Sequence, residues 1–168
     1  MGRVAVRAAV AAALAAAAIP AVGTVYAARD YVSGADYEHA MYSQAGSGAV
    51  LVVNLPGPDH RRMRALAGRG SVNDTEIHPV AIEVFLANTA GDPVGAQQDF
   101  DAIADAITVL VRNDPTLSAP DVIWSAGEYE AGVEVTQQEP FTDEEGTTVF
   151  VFGLIRFDAW EWIAGEGI

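Results

Sequence analysis

The chain is 168 residues long, 51% of them apolar, and carries a formal charge of −14. That length fits one domain spanning residues 1–168, and the apolar content excludes wholesale disorder. With no cysteine, disulfides, thiolate metal sites and a cysteine nucleophile are excluded, and the acidic excess repels phosphate backbones and argues against nucleic-acid binding as the main task.

Residues 1–28 have two readings. Arg3 and Arg7 precede an alanine-rich run from Ala8 to Ile19, and Val25-Tyr26-Ala27 has the outline of a small-x-small cleavage site, as in a secretory signal peptide. Alternatively the run is a domain helix. Alanine is the best helix former, no breaker occurs before Pro20, and Val6, Val10, Ala13, Leu14 and Ala17 fall on one helical face. A membrane span fits least well, because the run is short and alanine anchors poorly in lipid.

Ala21 to Ala28 reads as a strand, and Asp30 to Gly48 as a long polar loop. Ala49 to Asn54 (AVLVVN) is a continuous apolar run that suits a central strand. Asp59 to Asn73 holds Arg61, Arg62, Arg64 and Arg69 and is expected to be an extended hairpin loop. Glu76 to Asn88 follows as a strand, with a bulge or a strand start expected at Pro79. Asp92-Pro93 opens a helix with a capping aspartate and a first-turn proline. Phe100, Ile103, Ile107, Leu110 and Val111 form its apolar stripe. Asp99, Asp101 and Asp105 lie toward its N-terminal half, where the helix dipole favours them, and Asn113-Asp114-Pro115 ends it. Val122 to Ser125 and Gly132 to Gln137 are short strand candidates, Asp143 to Gly146 an acidic turn, and Thr147 to Phe157 a strong β-branched and aromatic strand. The expected fold is α+β. A helix, three strands, a helix and two or three further strands give one mixed or antiparallel sheet with both helices on one face.

Motifs for chemistry are absent from this pattern. The three histidines, His39, His60 and His78, show no metal-ligand spacing on an expected element, so each reads as an ordinary loop or strand residue. There is no nucleophile elbow, P-loop, dinucleotide fingerprint or H-E-x-x-H sequence. Asp143, Glu144 and Glu145 lack calcium-loop spacing and read as a solvated turn. No catalytic, metal-binding or cofactor-binding residue is therefore assigned. The interface candidates are the arginines at 61, 62, 64 and 69, suited to an acidic neighbour or a second copy, and Trp160 and Trp162, which would share one face of a strand.

The element order resembles that of the tail terminators of long-tailed bacteriophages, also called tail-to-head joining or minor tail proteins. The resemblance runs over nearly the whole chain: the N-terminal helix leading through IPAVGTVYAARD, then AVLVVN, HPVAIEVFLAN, QQDFDAIADAITVLVRND and TTVFVFGLIRFDAW. It implies a non-enzymatic virion protein, assembled in the host cytoplasm, whose six copies ring the end of the tail tube. Such a ring stops tube polymerisation, meets the tail tube protein and the head–tail connector, and passes genomic DNA through its lumen without specific binding. It implies no cofactor and no membrane. An acidic lumen fits the net charge, since it would repel passing DNA. The all-arginine basic set and the alanine-, glycine- and valine-rich usage suit a GC-rich genome such as that of an actinobacteriophage. Three other readings stand beside it: another phage neck or head-closure protein, an exported acidic binding domain with a cleaved signal peptide, and a small enzyme using scattered carboxylates.

Overall fold

A computed structural model of the chain describes residues 3–28, 46–55, 61–67, 71–114, 116–117, 122–124 and 132–163. Within them, helix α1 (Arg3–Ala16) precedes four strands: β1 (Val22–Tyr26), β2 (Ser47–Asn54), β3 (Arg61–Ala67) and β4 (Ser71–Asn88). Helix α2 (Pro93–Asn113) follows, and then β5 (Val122–Trp124), β6 (Glu134–Gln137), β7 (Phe141–Thr142) and β8 (Val149–Ile163). All eight strands join one sheet, mixed because β1 runs parallel to β2 while the other pairings are antiparallel. The class is α+β, as the sequence implies.

The frame of the sheet is the antiparallel ribbon of β4 and β8, paired without a break from Asp74↔Ile163 to Asn88↔Val149. Each strand of the ribbon is flanked by a lane of shorter strands. Along β4, β2 covers residues 81–88 and β3 covers residues 71–77. Along β8, β7, β6 and β5 follow one another. The segment expected to be a hairpin loop is thus in part strand β3, and the fourth strand before α2 is a correction to the expected count. Arginine, alanine and methionine have little intrinsic strand preference. What makes β3 extended is the ladder that the outer half of β4 offers, and charged residues are well suited to such a flanking position.

Pro79 produces no bulge, because its neighbours keep register with β8 as His78↔Ala159 and Val80↔Phe157. It lies instead where the flanking lane is interrupted: the pairing of β3 ends at Ile77 and that of β2 begins at Ala81. A residue without an N–H is tolerated where no neighbouring strand requires one.

Alternation divides the ribbon into two faces. Val80, Ile82, Val84 and Leu86 of β4, with Val149, Val151, Ile155, Phe157 and Ala159 of β8, form one core with both helices. From α1 come Val6, Val10 and Leu14, each at most 2% exposed, and from α2 Phe100, Ile103, Ile107 and Val111. Leu110, expected in the α2 stripe, packs at the margin of this core. Asp92 caps α2 as its sequence suggests, its Oδ1 accepting from the Val94 N–H at 3.0 Å. Arg3 ties the start of α1 to the end of β2 by donating to the Leu55 carbonyl.

Gly153 is required by packing. A Cβ there would stand 2.3 Å from the Phe100 ring, so the missing side chain is what lets the largest core residue of α2 lie against β8. On the other face, Val50, Val52 and Ala87 are buried with Tyr26, Phe85 and Phe150 packed against them. There Phe85 lies 4.9 Å from Phe152 and Phe141 lies 5.3 Å from Phe150, centroid to centroid.

Candidate functional site: a buried glutamate–histidine cluster

Strand alternation carries the helix-side face of β4 past Val80 to His78 and Glu76, two and four residues further out. On β8 the same face runs outward past Ala159 to Glu161. The register sets Glu161 directly opposite Glu76, with His78 one step along the diagonal. Diagonal neighbours in an antiparallel pair are within reach of long side chains. His78 Nε2 donates to Glu161 Oε2 at 2.8 Å. His78 is 1% exposed and Glu161 fully buried, whereas Glu76 is half-buried. One ligand atom from each of the three residues lies within 4.8 Å of the others.

Ionisable groups this deeply buried need compensation. Removing a carboxylate from water costs several kcal/mol, about that much for each ion even after relaxation. A partner or a cation must offset it, and the histidine bond supplies part of that offset. Chemically, one imidazole and two carboxylates form a donor set for a divalent transition metal. By spacing alone His78 is an ordinary loop or strand residue. The only local signal was the E-x-H spacing of Glu76 and His78, which a strand turns into one shared face. The third member lies 83 positions further along the chain.

The other residues singled out from sequence are dispersed. Arg61, Arg62 and Arg64 belong to β3, opposite Ile77, Glu76 and Asp74 respectively. In that register Arg62 is the Cα partner of Glu76. Arg69, His39 and His60 lie outside the described residues. Trp160 and Trp162 both fall within β8, at alternate positions opposite Ile77 and Thr75. Trp160 is half-buried.

The acidic turn is organised by Asp143. Its carboxylate accepts from the Thr147 hydroxyl at 2.8 Å, the Thr147 N–H at 2.7 Å and the Thr148 N–H at 3.1 Å. The Thr147 hydroxyl bond, then the Thr148 N–H, hold its pKa below the ordinary 3.8. A surface cleft of about 180 Å³ is lined by Pro79, Val80, Gly132, Glu134, Arg156, Phe157 and Asp158. No helix among the described residues is long and apolar enough to cross a membrane.

No protein-family description matches this chain, and no curated protein does. Among solved structures, the fold is similar to that of a chain from the virion of a native gene transfer agent particle. The identity is 17% and the TM-score 0.34, over 92% of this chain and 93% of that one.

Proposed function

We propose that this chain is a structural virion protein of the tail-terminator kind, without catalytic activity. Six copies form a ring on the last ring of the tail tube, end its polymerisation and join the tail to the head connector. The observation that carries this reading is the position of α1. The ring reading and the exported-domain reading diverge at residues 1–28, and Val6, Val10 and Leu14 are embedded in the same core as α2 and the ribbon. Cleavage after Ala27 would remove all three, together with the whole of β1. Truncating a single buried aliphatic side chain costs about 2–5 kcal/mol, so a fold that uses α1 in this way is built to retain it.

Two further features support the reading. The helix–strands–helix–strands order on which the resemblance rests is the order of the fold. A formal charge of −14 per chain, repeated around a ring, surrounds a DNA passage with repulsion rather than adhesion. The test is negative-stain microscopy with light scattering on the purified full-length protein. Hexameric rings are expected. A strict monomer at all concentrations, or a native protein whose first residue lies near Ala28, overturns the reading.

A further inference from the structure

We infer that Glu76, His78 and Glu161 form a binding site for one divalent transition metal ion of the zinc class, which clasps the outer end of the β4–β8 ribbon. The inference is independent of the ring reading, and either can fail without the other.

Three observations converge. The first is the donor set: an imidazole nitrogen and two carboxylate oxygens suit zinc, manganese or iron rather than calcium or magnesium, which favour all-oxygen sites. The second is the spacing. Ligands held at about 2.0–2.2 Å from a metal ion lie roughly 3–4 Å from one another. His78 Nε2 and Glu161 Oε2 stand 2.8 Å apart, and the whole set is within 4.8 Å, so small side-chain adjustments close it around one ion. The third is burial. His78 and Glu161 are almost wholly withdrawn from solvent, where a bound dication offsets the cost of keeping a carboxylate charged.

On binding, Nε2 of His78 becomes the ligand atom and the ring proton is held on Nδ1, so the imidazole stays neutral and no proton is released. The half-buried Glu76 marks the side from which the ion enters and where water completes its coordination. The consequence is mechanical. Glu161 pairs with Glu76 on one side and with Val122 of β5 on the other. An ion held there fixes β4 against β8 beyond the reach of the apolar core.

The competing account is that a basic side chain already balances these carboxylates and leaves no place for an ion. Zinc titration by calorimetry and the visible absorption of added cobalt(II) separate the two, using untagged full-length protein first stripped with chelator. One equivalent of zinc per chain is expected, with cobalt bands characteristic of nitrogen and oxygen ligands and a melting temperature that rises on zinc addition. Glu76→Gln and His78→Ala each weaken binding at least about ten-fold. If His78→Ala fails to fold, Glu76→Gln, altered at a half-buried residue, carries the comparison alone. Absence of stoichiometric zinc and cobalt binding by the wild-type chain overturns the inference. Unchanged affinity in Glu76→Gln also overturns it.

Discussion

The two ends of the β4–β8 ribbon are built from the same pairing and stabilised by different physics. At the inner end, Val80 to Leu86 and Val149 to Phe157 alternate apolar residues onto a face covered by α1 and α2. Dispersion and apolar burial hold it, and neither depends on a particular partner atom. At the outer end, the same face carries His78, Glu76 and Glu161, with the arginine-bearing β3 alongside. That end depends on matched charges and directed bonds, which are costly when incomplete. The difference teaches that continuous strand register does not imply a continuous core: a ribbon can pass from a packed region to an electrostatic one within two residues, at Pro79.

Substitutions at the two ends test this contrast. The largest expected effect is at the inner end. Phe100→Ala removes the aromatic ring seated over Gly153 and is expected to cost about 3–5 kcal/mol in denaturant unfolding. A cost below about 1 kcal/mol would show that α2 is not seated on the ribbon as described.

Next is the outer end, measured in chelator so that no metal contributes. Glu161→Leu alone removes the carboxylate that His78 bonds in a buried site and is expected to cost about 3 kcal/mol. Adding His78→Leu restores much of that loss, because a matched apolar pair needs no partner. If the double variant loses as much as the two single variants combined, the outer end is held by something other than the pairing of these two residues. A smaller effect comes from overfilling: Gly153→Ala drives a methyl group into Phe100 and is expected to cost about 1–3 kcal/mol. Phe100→Leu combined with Gly153→Ala should recover part of it, a coupling that a double-mutant cycle reads directly.

The smallest effect lies outside the ribbon, at the Asp143 turn. Its folded carboxyl titrates below the ordinary 3.8, first because of the Thr147 hydroxyl and then the Thr148 N–H. A depressed folded pKa adds stability that is fully present above the unfolded value and is lost as pH falls through the folded one. The stability difference between wild type and Asp143→Asn should therefore be constant near neutrality and shrink only below about pH 4. A difference that shrinks between pH 5 and 7 would point to another group.

Local periodicity accounts for most of what was legible in the sequence. Helix α2 could be read completely, because its cap, its proline and its 3.6-residue stripe are all short-range signals. β2 and the inner part of β8 were legible as β-rich apolar runs. α1 was legible as a helix with Val6, Val10 and Leu14 on its apolar face, although an alanine-rich run also has the outline of an export signal; the burial of those three residues supports the helix. β3 was not legible, because Arg61 to Ala67 is a strand by virtue of its neighbour and not its composition.

The sequence by itself determined the fold class, the acidity, the absence of thiol chemistry and the faces of the long elements, since each follows from composition or from spacings of a few residues. The tertiary structure alone decided that Pro79 sits at a break in the flanking lane, that Arg61 to Ala67 pairs with β4, and that His78 meets Glu161. Those depend on which strands pair and in what register, a choice made by burying apolar surface across the whole chain. A contact between positions 83 apart leaves no periodic trace in the sequence.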